Sequence, residues 1–302
     1  FKILLEEAKN LTKQYPKSFI ILNIIGASYQ GLGKSAEALK AFKKVTELRP
    51  EYPDGHNNMG AVLLELGNLE QALLSFKIAL SFNPNYAEVY NNIGILLKDQ
   101  GNLEEAVENY NRAIEFKHNY SEAYNNLGVV LQNQGKLQEA MKAYHKALSI
   151  NPNIAQIYNN LGIILNNQGR PKKALEAFNK SIEIEPNYAE AYTNKGITLK
   201  KYGQLEEALQ AFEIGINIMP ENSLLKMNLQ TLKNLLVPCW HIEMMNDKYR
   251  NDAYFKAIKL AVSKHDIVLD IGTGSGLLSM MAAEAGAKRV ITCENSKSIS
   301  KI

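Results

Sequence analysis

The chain has 302 residues, of which 46% are hydrophobic and 22% charged, as expected for a folded, soluble protein with room for two domains. Its formal net charge of +3 is too small to predict a nucleic-acid-binding protein, which needs a concentrated basic face. The longest apolar stretch, Phe19 to Ala27, is interrupted by Asn23 and is far shorter than the roughly 18 residues of a membrane helix. We therefore expect neither nucleic acid nor a membrane among the partners.

The cysteines indicate a reducing compartment. Only Cys239 and Cys293 are present, far apart in the sequence, so a disulfide framework is not predicted. Because the sequence begins with Phe1 inside a helical pattern, a removed targeting segment would leave no trace in it. Cysteine usage alone therefore predicts a cytoplasmic protein, which could also be nuclear in a eukaryote.

A 34-residue period organises most of the chain. Two glycine series, one alanine series and one aromatic series follow it: Gly26, Gly60, Gly94, Gly128, Gly162 and Gly196; Gly33, Gly67, Gly101, Gly135, Gly169 and Gly203; Ala38, Ala72, Ala106, Ala140, Ala174 and Ala208; Phe42, Phe76, Tyr110, Tyr144, Phe178 and Phe212. This period is typical of tetratricopeptide repeats, which are built from two helices each. The sequence therefore predicts six such repeats in unbroken register.

Each recurring position has a predicted mechanical role. The first glycine and the alanine should keep the two helices of a repeat close, and the second glycine should end the first helix at its C′ position. The aromatic residue should fill the wedge between neighbours. Prolines should stop the second helices: Pro50, Pro84, Pro152, Pro186 and Pro220. In the third repeat His118 takes this place, and we interpret it as a longer or looser helix end rather than a metal ligand, because no second ligand has suitable spacing.

The repeats predict a mainly α protein, a right-handed α-solenoid over residues 19 to 220. Residues 1 to 18 fit the second helix of a truncated earlier repeat. Residues 221 to 237 form one further amphipathic segment without the repeat's glycines, as expected of a cap over the last repeat.

A row of asparagines should line the concave surface of this solenoid. They share one position on the first helix of successive repeats: Asn58, Asn92, Asn126, Asn160 and Asn194. A side-chain amide can donate to a peptide carbonyl and accept from a peptide N–H, so such a row could hold an extended protein or peptide substrate by its backbone. The arrangement resembles the asparagine ladder of the O-linked N-acetylglucosamine transferase repeats. The alternative is that these amides only keep the surface hydrated and link adjacent helices.

A second set of asparagines precedes the first: Asn57, Asn91, Asn125 and Asn159. Neighbouring residues lie about 100° apart around a helix, so both sets cannot face the groove equally. We predict that the second residue of each pair faces the groove.

The last part of the chain predicts a strand, a glycine-rich turn and a helix, in residues 265 to 278. Gly272, Gly274 and Gly276 have the spacing G-x-G-x-G, whereas the dinucleotide fingerprint needs G-x-G-x-x-G, so NAD is the weaker interpretation. A second strand should follow, and Glu294 at its end lies about 20 residues past the first glycine, where an acid can bind ribose hydroxyls.

Residues 268 to 294 resemble motif I and the following acidic position of S-adenosylmethionine-dependent methyltransferases. Residues 240 to 254 resemble the opening segment of the protein arginine methyltransferases, above all of members with tetratricopeptide repeats ahead of the module. The resemblance implies cofactor-lid helices at 238 to 264 and the first βαβ unit of a doubly wound α/β fold at 265 to 302. It also implies S-adenosylmethionine as cofactor, contacted by His241, Met244, Arg250, Asp270, Gly272, Gly274, Gly276 and Glu294.

Individual roles follow from this resemblance. Arg250 would take the methionyl carboxylate through its planar fork, and Met244 would pack near the sulfonium. Asp270 would orient the glycine loop or meet the cofactor's amino group. The alternatives are a solvated helix charge for Arg250, core packing for Met244 and a capping role for Asp270. Ser279 is not expected to be a nucleophile, because no histidine lies in a triad-like context.

These features predict a protein arginine N-methyltransferase whose repeats recruit a protein substrate. The family's catalytic glutamates and Thr-His-Trp loop are expected beyond Ile302, so we predict that the 302-residue chain alone is inactive and has at best a weak affinity for the cofactor. Two alternatives stay open: a repeat scaffold with a truncated methyltransferase-like tail, and a methyltransferase that acts on another class of substrate.

Overall fold

The computed structural model describes residues 1–236, 246–271 and 277–293. The chain divides into two compact units, Phe1–Ile157 and Tyr158–Ile302, and each is described by itself. Among the described residues, no helix has the length and apolar character needed to cross a membrane.

Antiparallel helix pairs build the first unit, as the 34-residue period predicts. The chain starts with α1 (Lys2–Gln14), which packs against the first helix of the first repeat. The pairs are α2 (Phe19–Gly31) with α3 (Ser35–Leu48), α4 (Pro53–Glu65) with α5 (Leu69–Phe82), α6 (Ala87–Asp99) with α7 (Leu103–Phe116), and α8 (Ser121–Asn133) with α9 (Leu137–Ile150). The predicted solenoid of tetratricopeptide type is confirmed.

The aromatic ring of each repeat explains why its first helix carries a glycine. A Cβ atom added at Gly128 would lie 2.6 Å from Cε1 of Tyr144, and the other repeats show the same approach at 2.5 to 2.6 Å. The six rings are at most 1% exposed, and the alanine series is fully buried. Phe42 also packs against Val62 of the next repeat, so the ring fills space within its own repeat and between neighbours.

The second glycine series ends the first helices, as predicted. These six glycines have φ between +70° and +82°, a left-handed conformation that glycine adopts without strain. The prediction for His118 was wrong, because α7 ends at Phe116, the same repeat position as Phe82 at the end of α5. The His118 ring instead contacts the Ile114 carbonyl oxygen at 3.0 Å through Nδ1.

The second unit continues the repeats. Its helices are α10 (Ala155–Asn167), which begins in the first unit, α11 (Pro171–Ile184), α12 (Ala189–Lys201), α13 (Leu205–Ile218) and α14 (Ser223–Leu236). The last helix lies in the segment predicted as a cap. It begins where Asn222 Oδ1 accepts a hydrogen bond from the Leu225 amide, and it buries Leu225 and Leu232 in a cluster with Phe212.

A strand–helix–strand unit follows after α15 (Lys248–Ala261). Strand β1 (Ile267–Ile271) precedes α16 (Leu277–Glu284), and β2 (Arg289–Cys293) pairs with β1 in parallel, with Leu269 opposite Ile291. The predicted βαβ connection is confirmed. The sequence pattern is helical from residue 240 to 262, but Asp247 interrupts it as the N-cap of α15, and residues 240 to 245 lie outside the described residues.

Candidate functional site

The paired asparagines interlock from one repeat to the next. An asparagine of the predicted peptide-binding row donates from Nδ2 to Oδ1 of an asparagine 35 residues earlier. These bonds join Asn58 to Asn23 at 3.0 Å, Asn92 to Asn57 at 2.9 Å, Asn126 to Asn91 at 3.0 Å and, in the second unit, Asn194 to Asn159 at 2.9 Å. The asparagines therefore do link adjacent helices, which is the structural role that the sequence left open.

The two sets differ in exposure. The first residues of the pairs are at least 91% buried, with Asn91 fully buried, whereas the second residues are half-buried. An amide nitrogen carries two hydrogens and an amide oxygen accepts two hydrogen bonds, so one ladder bond uses only part of this capacity. The predicted peptide-binding row stays a prediction: Asn58, Asn92, Asn126, Asn160 and Asn194. The hydrogen bonds between asparagines of successive repeats fix the orientation of each amide for which a bond is described above.

At the other candidate site, β1 presents Asp270 at its carboxyl end. The Ser279 hydroxyl, on the first turn of α16, donates to Asp270 Oδ2 at 2.6 Å. Ser279 is 6% exposed, so this bond is largely shielded from water. It ties the acid before the glycine-rich turn to the helix after it. Sequence reasoning discussed Ser279 only as a possible nucleophile and missed this positioning role, which the i to i+9 spacing across the turn could have suggested.

Arg250 lies in the first turn of α15 and is half-buried. Asp247 caps this helix by accepting a hydrogen bond from the Arg250 backbone amide at 3.0 Å. The guanidinium donates from Nη2 to Asn251 Oδ1 at 3.0 Å, and its carbon lies 5.9 Å from the centre of the Tyr254 ring. Because α15 packs against α16, the helices that carry Arg250 and Ser279 are neighbours.

The packed face of α15 differs from the one that its apolar pattern indicates. That pattern places Tyr254, Ile258 and Ala261 on one face, but Tyr254 is 49% exposed and Ala261 is exposed. Besides Arg250, the half-buried residues are Asn251, Phe255 and Ile258, which share the i, i+4, i+7 face of the helix. Tyr254 therefore lies mostly outside the packed face.

The two faces of the β1–β2 pair are not equivalent. Helix α16 packs over one face and buries Ala282 at 2% exposure. The opposite face presents Ile267, Leu269 and Ile291, which are 60%, 59% and 41% exposed. One apolar face of the strand pair is therefore covered by α16, and the other is largely exposed.

Six of the predicted cofactor contacts lie outside the residues that the structure describes: His241, Met244, Gly272, Gly274, Gly276 and Glu294. Of the predicted set, the structure describes Arg250 and Asp270. It places both beside elements that flank the glycine-rich turn, Asp270 directly before it and Arg250 on the helix that packs against α16.

Comparison with known families divides the chain in the same way. Residues 26–67, 60–101 and 96–135 match the family described as TPR repeat, and residues 119–186 and 153–221 match the tetratricopeptide repeat family. Residues 253–298 match the family described as ribosomal protein L11 methyltransferase (PrmA).

Curated relatives are arginine methyltransferases. The chain is 50% identical over 66 residues to an arginine N(omega)-methyltransferase of Streptomyces achromogenes subsp. streptozoticus, an alignment covering 22% of this chain and 18% of that protein. It is 47% identical over 81 residues to protein arginine N-methyltransferase 9 of Mus musculus, covering 26% of this chain and 10% of the relative. The chain thus spans less than a fifth of the length of these two relatives.

Solved structures resemble the repeats. The Cut9 and Hcn1 hetero-tetramer of the APC/C gives a TM-score of 0.70 at 19% identity, over 76% of this chain and 46% of that one. The type IV pilus biogenesis factor PilW gives a TM-score of 0.63 at 19% identity, over 71% of this chain and 97% of PilW. YrrB, described as a TPR protein with an unusual peptide-binding site, gives a TM-score of 0.50 at 25% identity, over 64% of this chain and 99% of YrrB. The first two similarities establish the fold.

Proposed function

The chain is a tetratricopeptide-repeat protein with a methyltransferase segment after its repeats, and from this premise we propose that it acts as an S-adenosylmethionine-dependent protein arginine methyltransferase whose repeats hold the substrate. One observation carries the proposal. A segment 47 to 50% identical to arginine methyltransferases follows an array whose first helices carry an ordered row of amides.

The described cofactor residues fit a small charged ligand. Asp270 stands at the carboxyl end of a parallel strand, where open α/β sheets bind ligands, and its carboxylate keeps acceptor capacity beyond the Ser279 bond. Arg250 offers a planar fork suited to a carboxylate. S-adenosylmethionine, when bound, supplies an electrophilic methyl group. The chain's own contribution would be to orient the cofactor, since positioning and electrostatics dominate such transfers.

Two measurements test this function. Calorimetry on the full-length protein should detect S-adenosylmethionine binding, with NAD as a control ligand that binds weakly or not at all. The full-length protein should also transfer the methyl group to arginine in a peptide, read by mass spectrometry. Absence of cofactor binding would favour the repeat scaffold, and methylation of a residue other than arginine would favour another substrate class.

Replacing Ser279 by alanine should weaken S-adenosylmethionine binding. The loss of one shielded hydrogen bond to a charged group is worth about 1.5 kcal/mol, or roughly tenfold in affinity, because Asp270 would no longer be held against α16. Calorimetry measures this directly. Ser149→Ala, on the surface of α9, is the matched control and should bind like the wild type. Equal affinities of all three proteins would remove Ser279 and Asp270 from the proposed site.

Replacing Asn126 and Asn160 by alanine should weaken the binding of a peptide substrate. Each hydrogen bond contributes about 1 kcal/mol, so the double change should weaken binding by about tenfold or more. The similarity to YrrB supports this role, because that protein is described as having a peptide-binding site. Fluorescence anisotropy with a labelled peptide gives the affinity.

Thermal unfolding must accompany that measurement, because Asn126 also donates to Asn91. Asn109→Ala, on α7, is the matched control, since Asn109 is likewise half-buried and the hydrogen bond described for its amide stays within its own helix, to the Glu105 carbonyl oxygen. Loss of stability with unchanged peptide affinity would show that the amide row is only structural.

A further inference from the structure

Acidic residues recur at one position on the first helices of the first unit. Asp54, Glu88 and Glu122 are separated by 34 residues, and each stands four residues before an asparagine of the predicted peptide-binding row. Residues four apart lie on the same face of a helix. The acids and the amides therefore share one surface, which we call the first-helix face.

Tyrosines alternate with these acids along the first-helix face. Tyr86 Oη donates to Asp54 Oδ1 at 2.5 Å, across two consecutive repeats. Burial, the hydrogen bond to Asp54 and the nearby negative charges raise the pKa of Tyr86 well above its usual value, and burial and Asp54 raise the pKa of Tyr52 to about 12. The Tyr86 phenol thus stays protonated and donates, while the Asp54 carboxylate accepts.

One acid already holds a cation. Lys117 Nζ lies 2.6 Å from Glu88 Oε1 and 4.6 Å from the centre of the Tyr120 ring. A carboxylate and an aromatic face are the two groups that attract ammonium and guanidinium ions. Lys117 shows which kind of ligand an acid with a neighbouring tyrosine accepts on this surface.

At the neighbouring acids, the described residues place no such cation. The residue at the repeat position of Lys117 is Asn83 beside Asp54 and Asn151 beside Glu122. Within the described part of the chain, neither Asp54 nor Glu122 forms a salt bridge. Glu122 is exposed and accepts from Asn91 Nδ2 at 3.2 Å, and Asp54 is half-buried. Both carboxylates keep acceptor positions for a further donor.

The repeat spacing sets a register for a ligand. First helices of consecutive repeats are direct neighbours, joined by the asparagine bonds, and packed helices lie about 8 to 10 Å apart. An extended peptide advances about 3.3 to 3.6 Å per residue. One repeat therefore corresponds to about three residues of a bound extended chain.

We propose that the first-helix face binds an extended basic peptide, in which cationic side chains about three residues apart pair with Asp54, with Glu88 in competition with Lys117, and with Glu122, while the asparagines bind its backbone. This inference rests on the proposed substrate-holding role of the repeats and adds a charge and a spacing to it. It is independent of the cofactor site.

Three labelled peptides of equal length test the proposal on the full chain by fluorescence anisotropy. The first carries arginine at every third position among glycines and serines, the second carries the same arginines in one contiguous block, and the third carries glutamine in their place. The first should bind at least tenfold more tightly than the third and severalfold more tightly than the second. Equal affinities for the first peptide and the glutamine peptide would overturn the selection for charge. Equal affinities for the first peptide and the peptide with contiguous arginines would overturn the three-residue spacing.

Amide variants test the acids without removing their hydrogen bonds. Asp54→Asn and Glu122→Gln keep an acceptor for Tyr86 and Asn91, so folding should be preserved while the charge is lost. Each should weaken the spaced arginine peptide about threefold, as expected for a partly exposed charge pair, and should leave the glutamine peptide unaffected. Glu108→Gln, an exposed acid on α7, is the matched control with the same change of net charge. An equal effect of Glu108→Gln would reduce the result to general electrostatics and contradict the proposal.

Removing the Lys117 ammonium should have the opposite effect on peptide affinity from removing an acid. Lys117→Ala should tighten the spaced arginine peptide about two- to threefold, because Glu88 and the Tyr120 ring become available, and Lys142→Ala on α9 is the control. Weaker binding would show that Lys117 is not a competitor.

If the acid variants have no effect while Asn126→Ala weakens binding, the charge selection fails and the substrate-holding role stands. If none of the peptides binds, both fail.

Discussion

Replacing Gly128 by valine should destabilise the first unit by about 3 kcal/mol, near the upper end of the usual cost of overpacking a core. A Cβ at this position would lie 2.6 Å from Tyr144 Cε1, and Tyr144 is fully buried. The ring cannot simply swing away, because Tyr144 Oη donates to Gln132 Oε1 at 2.9 Å. Urea denaturation followed by circular dichroism gives the change in unfolding free energy.

Two further variants identify the ring as the cause. Adding Tyr144→Leu to Gly128→Val should recover part of the lost stability, because the smaller side chain makes room for the new methyl groups. Gly135→Asn should cost much less, since nothing lies within 4 Å of its added Cβ and asparagine tolerates φ of +74° better than other residues. A loss at Gly128 that Tyr144→Leu does not reduce would contradict this account of the repeat glycines.

Replacing Arg250 by alanine should weaken S-adenosylmethionine binding by about ten- to a hundredfold, the equivalent of about 1.5 to 3 kcal/mol for a charge-assisted pair. The change should leave α15 intact, because Asp247 caps the helix through the backbone amide of residue 250 rather than through its side chain. The effect therefore reports on the guanidinium. Calorimetry on the full-length protein measures the dissociation constant.

Conservative and remote variants sharpen this test. Arg250→Lys keeps the charge and loses the fork, so it should recover only part of the affinity if the ligand is a carboxylate held at two points. Lys256→Ala, an exposed cation on the same helix, should bind like the wild type. Wild-type affinity of Arg250→Ala would make this residue an ordinary surface charge, and the cofactor site would have to be built without it.

The repeating residues were enough to predict most helices of the solenoid, because each of them acts on the backbone or the helix contact in its own repeat. A glycine in the left-handed conformation at Gly67 ends a helix wherever it occurs. His118 shows the limit of this reasoning. The proline at its repeat position suggested that the helix end depends on that residue, yet α7 ends at Phe116 without it, because the helix ends are set two residues earlier.

The sequence by itself determined the period, the helix pairs, the glycines that end the first helices, and the strand–helix–strand order after them. The tertiary structure decided which polar groups meet: Asn126 with Asn91, Tyr86 with Asp54, Lys117 with Glu88, and Ser279 with Asp270. The physical reason is that helix periodicity fixes only the direction of a side chain around its own helix. Its partner depends on how the next repeat or the next element is rotated against it, and packing across the whole interface sets that rotation.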